Sequence, residues 1–288
     1  MATVADNLQT IIDIKGDIKN AIEAKGVLVG DASFGSYANK IGEISGGTAT
    51  ILPDGIKFKD STCTSFPELQ FDNLTSCYEM FYMCSNLTTV PLFDTSKVTN
   101  MEGMFSNCDN LTHVPLFNTS NVTNMDDMLH SCVLLTELPQ FDTSNVTSMR
   151  YFCQNCYALE SFPEINTSKV TNMNYMCAYC YALTTVPALN ASKVSTLNNV
   201  FYYCSSLTDF GGFINLGQGF SGATTSFSLA HSNLLTHNSC MNIINNLYDM
   251  NLKFSVPANK VTFHPDVYAL LSADDIAIAT EKGWTIAS

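Results

Sequence analysis

Eleven cysteines are the residues of this chain whose type and spacing most invite chemistry. Six of them, Cys84, Cys108, Cys132, Cys156, Cys180 and Cys204, fall 24 residues apart, and Cys153 and Cys177 each stand three residues ahead of a column member. The resulting C-x2-C-x20-C-x2-C is close to the spacing of a thiolate zinc site. The column explains it differently. Cys153 and Cys177 fill the slot that holds Phe81, Phe105, Leu129 and Phe201 in other copies, and a slot shared with Phe and Leu is a packing slot in which free cysteine serves as a small hydrophobe. Side chains in one column also point in parallel, whereas a disulfide needs converging Cβ vectors. The expectation is a row of buried free thiols, with no metal and no cofactor.

Other groups give catalysis little support. His113, His130, His231, His237 and His264 share no metal-ligand spacing, and neither a G-x-S-x-G elbow nor a glycine-rich phosphate loop occurs. Asp94 and Asp142 recur in a slot that elsewhere holds Asn118, Asn166 and Asn190, which suits turn capping better than calcium. A glycosidase pairs two acids across a groove, and nothing in the pattern selects Glu137 and Glu160 as such a pair. The expectation is a protein that is not an enzyme. Two features suit binding instead. Outward positions Ser65, Thr89, His113, Glu137, Ser161, Thr185 and Asp209 change from copy to copy within a constant frame. Tyr151, Tyr157, Tyr175, Tyr179, Tyr181, Tyr202 and Tyr203 concentrate seven of the twelve tyrosines in one stretch. Tyrosine supplies rigid, half-polar contact area for a protein or carbohydrate partner. The alternative is a partly buried layer or a contact with a neighbouring subunit.

The elements that position these residues follow from the period. Pro67, Pro91, Pro115, Pro139, Pro163 and Pro187 keep the 24-residue step, as do Val98, Val122, Val146, Val170 and Val194, and Met101, Met125, Met149 and Met173. A supersecondary unit repeated at fixed period specifies an α+β repeat solenoid. Leu87 to Val90 is expected to form a short strand and Val98 to Met101 a second extended stretch. Met104-Phe105-x-x-Cys108 has the spacing of one helical turn. No coil buries its own apolar face, so neighbours and caps are needed. The D/N-T-S segments predict Asx turns at the corners, and sequons such as those at Asn86, Asn110, Asn121, Asn145 and Asn166 serve turns and strands rather than glycosylation.

Composition fits display. The net charge is −13, and residues 61–210 carry only Lys97, Arg150, Lys169 and Lys193 against thirteen Asp and Glu, a surface that repels phosphate backbones. No stretch has the apolar length to insert in a membrane, and MATVADNLQTIIDIKGDIK lacks the pattern of a secretion signal. Cysteine-rich and without such a signal, the chain is expected to be made in a reducing cytoplasm.

The motif F-D-T-S-x-V-T-N-M-x-x-M-F-x-x-C over residues 60–210 resembles the BspA-like leucine-rich repeats, in the subfamily first catalogued in mycoplasma lipoproteins and found in surface proteins of gut bacteria and their phages. That resemblance implies adhesion or display and supplies no catalytic residue. LQTIIDIKGDIKNAIEAKGV with FGSYANKIGEI, and at the other end MNIINNLYDMN, KVTF and IAIATEKGWTIA, are similar to terminal modules of gut-phage tail and fibre proteins.

Three regions result: residues 1–47, a helical anchor or oligomerisation module; 48–210, about six repeats; and 211–288, an α/β capping unit. In the first, Val4, Leu8, Ile11, Ile14 and Ile18 form an amphipathic stripe that packs within the chain or bundles with copies of itself, a trimer being favoured. A short helix over 37–44 and a glycine hinge follow. In the last, helices are expected over 239–251 and 272–282, with Ser272 as N-cap and Gly283 at the stop, and a strand over 260–263. The chain is thus expected to be a non-enzymatic virion appendage, held by other virion proteins through its amino-terminal module and contacting a host surface protein or glycan. The alternatives are a bacterial surface adhesin and a structural virion decoration protein.

Overall fold

The computed structural model describes residues 51–288 apart from 53, 60, 67, 68, 72, 223–225 and 256–258. The expected amphipathic stripe at Val4, Leu8, Ile11, Ile14 and Ile18, the helix over 37–44, the hinge and Pro67 lie outside the described residues.

The chain has a mixed α/β repeat fold in which each copy lies on the next in parallel register. Ser76, Asn100, Asn124, Ser148, Asn172 and Thr196 form an unbroken series of parallel bridges, each residue pairing with its equivalent 24 positions on. Short strands appear where this pairing extends to two residues. They are β3 (Thr185–Val186) with β5 (Asp209–Phe210) and β4 (Leu189–Asn190) with β6 (Phe213–Ile214); β1 (Ile51–Leu52) also pairs in parallel with β2 (Gln70–Phe71), outside the 24-residue register. The expected strand at 87–90 is reduced to a bridge from Ser65 to Thr89.

The columns are buried as the period requires. Phe81 and Phe105 are fully buried and stack at 5.3 Å with ring planes 1° apart. The slot then narrows through Leu129, Cys153 and Cys177 before Phe201 restores it. At Cys153 the neighbouring column changes the other way, with Phe152 standing where Met104 and Met128 stand, so volume lost on one side is supplied on the other.

Corners form as the D/N-T-S segments predict. Ser96, Ser120, Ser144, Ser168 and Ser192 donate their backbone N–H to the side-chain oxygen two residues earlier, at 2.9 to 3.1 Å. The threonine between them is buried, and Thr95, Thr119, Thr143 and Thr167 each donate Oγ1–H to a carbonyl of the following coil.

The expected helical turn at Met104-Phe105-x-x-Cys108 does not form. Met101, Gly103, Phe105 and Asn107 donate their N–H groups to Asn124, Asp126, Met128 and His130 of the next coil, while Met104, Ser106 and Cys108 close turns on the carbonyl three residues back. An α-helix would spend all these donors on its own carbonyls. Alternation is possible because Gly103 and Asn107 are left-handed, with φ of 62° at each. The same pair of left-handed slots, four residues apart, recurs at 79/83, 127/131, 151/155, 175/179 and 199/203.

The capping unit begins with β7 (Ser226–Leu229), which joins β8 (Asn259–Phe263) and β9 (Trp284–Ala287) in a parallel sheet of order β7-β8-β9. Helix α1 (His237–Asn245) replaces the expected 239–251 and is followed by a 3-10 turn, Met250–Leu252. It is fastened to the last coil by Ser239, whose Oγ accepts from Phe210 N at 3.0 Å and donates to Thr208 O at 3.2 Å. Gly212 permits the approach, since a Cβ there would meet Asn242 O at 2.6 Å and φ is +85°. Beyond α2 (Pro265–Tyr268), α3 (Ala273–Glu281) starts at the Ser272 N-cap with a full capping box through Asp275, and Gly283 stops it at φ 77°. Trp284 fills the end of the core and donates Nε1–H to Tyr248 O at 2.9 Å.

Candidate functional site

The cysteine column is structural. All eleven cysteines are buried thiols outside any disulfide. Cys108, Cys132, Cys156, Cys180 and Cys204 each donate Sγ–H to the carbonyl 27 residues earlier, at 3.1 to 3.3 Å. Burial pushes these thiols well above their ordinary range. A thiol so held is neither a nucleophile nor a ready metal ligand. Cys153 and Cys177 meet at 3.4 Å, and burial raises Cys177 to about 12. Among the described residues no group of three or more His, Cys, Asp or Glu side chains could hold a metal ion.

The tyrosines do assemble, on the turned segments of the last three coils. Tyr151, Tyr175, Tyr179 and Tyr203 all occupy left-handed slots, with φ between 55° and 62°. Such a backbone directs the side chain outward at the coil edge, and it is one a bulky residue seldom adopts. Tyr151 and Tyr175 face each other across one coil step at 5.3 Å. Tyr157 and Tyr181 repeat that spacing. Tyr179 stacks on Tyr203 at 5.6 Å with planes 8° apart, and Tyr203 stacks on His231 at 4.0 Å. Tyr202 meets both edge-on. Tyr157, Tyr181 and Tyr203 remain about 40% exposed (44%, 41% and 39%), so the cluster is a surface layer and not core. Desolvation first, and then the neighbouring phenols, raise the Tyr181 and Tyr202 hydroxyls above the ordinary phenol range. They stay protonated donors at neutral pH.

Beside this layer lies a cleft of about 410 Å3 between Arg150, Tyr151, Tyr175, Asn198 and Asn199, closed on one side by Ser228 of β7. The Arg150 guanidinium lies 5.0 Å over the Tyr151 ring and 3.9 Å from an Asp126 carboxylate oxygen. Three coils earlier the equivalent surface is acidic. A smaller cleft, about 220 Å3, is lined by Glu79, Glu102, Asp127 and His130 among others. Burial, with Asp126 and Glu102 adding to it, lifts the Asp127 carboxyl to about 6.

Residues 75–186 and 134–216 match the family described as "Mycoplasma protein of unknown function, DUF285". Those matches span residues 75–216, and the repeats are similar to that family's. No curated protein and no solved structure matches the chain.

His113 and Glu137 are exposed and lie 3.8 Å apart on adjacent coils. The rest of their row is exposed too, in parallel register at Ser65–Thr89, Ser161–Thr185 and Thr185–Asp209. They belong to the pairing segment after the cysteine, whereas Tyr151, Tyr175, Tyr179, Tyr202 and Tyr203 belong to the turned segment before it and Tyr157 and Tyr181 follow it directly, so the coil divides the expected site residues between its segments. Arg150, Asn198, Asn199 and His231 complete the tyrosine surface and were not singled out from sequence. For Arg150, Asn198 and Asn199 the signal is present, since they fall in or beside the slots that Tyr151 and Tyr175 occupy; His231 lies outside the 24-residue register.

Proposed function

We propose that this chain is a non-enzymatic attachment protein of a phage virion. In that reading the stacked BspA-like coils form a leucine-rich-repeat solenoid displayed outward, the capping unit closes its distal end, and residues 1–47 hold it to the particle or to two further copies. The observation that carries the attachment role is the half-exposed tyrosine layer on coils four to six, which sits on a backbone conformation ill suited to tyrosine. A surface that existed only to be solvated would be expected to keep the asparagine, glycine or aspartate found at the same slots elsewhere. Support for the virion setting is the likeness of both end segments to tail and fibre modules. The partner is a host surface protein or glycan, because a chain of net charge −13 repels nucleic acid.

Immunogold electron microscopy with an antibody to residues 60–210 tests this reading on purified particles and on host cells. Gold at one fixed position on particles is the expected result; gold only on cells overturns it in favour of a bacterial adhesin. A structural decoration role is favoured by one observation, the packing of Tyr203 on His231 within the chain. It predicts that the tyrosine layer is inaccessible to antibody on intact particles.

A further inference from the structure

The aromatic cleft has the chemistry of a sugar site. A neutral pyranose presents C–H bonds on one face and a rim of vicinal hydroxyls. It therefore needs an aromatic surface together with donors and acceptors set at its edge. Tyr151 and Tyr175 supply the rings, 5.3 Å apart. Arg150 supplies a forked donor, fixed over Tyr151 at 5.0 Å. Asn198 and Asn199 supply amides, each both donor and acceptor. Among the described residues these two amide side chains meet no hydrogen-bond partner, while Asn174 already accepts from Asn198 N at 2.8 Å. The volume of about 410 Å3 lies within the range of small-ligand clefts.

Charge decides which sugar. Arg150 is answered by Asp126 at 3.9 Å, and Asp127 and Glu102 stand in the same acidic patch, so the cleft has no net positive field to hold a carboxylated or sulfated unit. The layer also continues past the cleft. Tyr179, Tyr203 and His231 extend the stacked surface by a further coil. The site is therefore longer than one ring.

Resting on the attachment reading above, we infer that the cleft formed by Arg150, Tyr151, Tyr175, Asn198 and Asn199 binds a neutral oligosaccharide, stacking a pyranose on the tyrosines and hydrogen-bonding its hydroxyls through the arginine and the amides.

The test exposes the full chain to neutral gluco-, galacto-, manno- and N-acetylglucosamine tetrasaccharides and to an oligogalacturonate, followed by calorimetry on any that bind. In parallel, binding of the chain to a panel of gut-bacterial cells is measured. Tyr175→Asn is the informative variant, because Asn199 already holds the equivalent left-handed slot and the fold accepts it. The expected result is binding of at least one neutral tetrasaccharide, weakened about tenfold or more by Tyr175→Asn and by Asn198→Ala. Both variants should keep the melting temperature, and Leu92→Ser, at a separate exposed position, should leave binding unchanged. Binding only to the galacturonate, or binding indifferent to Tyr175→Asn, overturns the inference. If cells are bound but no saccharide is, the sugar assignment fails and attachment stands; if neither is bound, attachment itself fails.

Discussion

In the coils spanning 77–132 the left-handed slots hold Glu79, Met83, Gly103, Asn107, Asp127 and Ser131; from 149 to 204 they hold Tyr151, Asn155, Tyr175, Tyr179, Asn199 and Tyr203. The hydrogen bonds between coils are the same from 77 to 131 as from 149 to 179, from Gly103 N to Asp126 O as from Tyr151 N to Asn174 O. One backbone thus carries an acidic cleft at one end and an aromatic one at the other. Glycine and asparagine need no further reason to be left-handed. Tyrosine at such a slot costs on the order of 1 kcal/mol or more, four times over. The difference separates what holds the coils together, which is shared, from what they present.

The largest expected effect concerns the shared part. Burial raises nine thiols, among them Cys108 and Cys132 in the first stretch and Cys153, Cys156, Cys177, Cys180 and Cys204 in the second. A group whose folded pKa is raised contributes its stability below the unfolded value and loses it as pH rises toward the folded one. For Cys77, Cys177 and Cys240 that window runs from 9.0 to about 12. Each thiol then removes about 1.4 kcal/mol per pH unit. Denaturant titration should show stability level to pH 8 and falling steeply above 9. Hydrogen exchange should show the thiol-richer tyrosine stretch opening first.

Next in size is the column that differs in bulk between the two stretches. Phe105→Ala is expected to cost about 3 to 5 kcal/mol and Cys177→Ala, in the same column, about 1 kcal/mol. Equal costs in chemical denaturation would mean that the bulk of the side chain in this column does not set its contribution.

Smaller still is the reverse exchange of surface. Gly103→Tyr puts tyrosine into the acidic stretch, where φ is +62° and a Cβ meets only the movable Glu79 Cγ at 3.2 Å. It should fold and lose about 1 kcal/mol, read as a lowered midpoint of urea unfolding. A loss several times larger would show that tyrosine at these slots depends on its neighbours, which would weaken the contrast drawn here.

The smallest effect is electrostatic. Asp127 favours its protonated form in the fold, so its contribution is present below the ordinary value of 3.8 and disappears as pH rises through about 6. Asp127→Asn removes that dependence. The variant should melt a few degrees above the wild type at pH 7 and close to it at pH 4.

Much of this was legible. The period dictates the columns, and every member of the cysteine and valine columns is buried. The Asx turns follow from D/N-T-S because a short side chain two residues before a serine N–H can only close locally, and Ser272 and Gly283 bound their helix as expected. The turned segment was not legible as a turn. M-F-x-x-C places apolar residues at helical spacing whether the donors bond within the segment or across coils, and periodicity reports the buried side, not the hydrogen-bond partner. Asn107, Asn155 and Gly103, left-handed formers recurring at one spacing, were the available clue. The tyrosines were recognisable as a cluster, but their pairing with Arg150 and the amides depends on which coil positions become neighbours after stacking.

The most direct test of the central claim replaces Tyr151, Tyr175, Tyr179 and Tyr203 together by asparagine and measures melting temperature and binding to gut-bacterial cells in one preparation. A binding face on a strained backbone predicts a melting temperature equal to or above the wild type and loss of cell binding. A melting temperature many degrees lower, or cell binding that survives, would contradict it and make the tyrosines part of the packing.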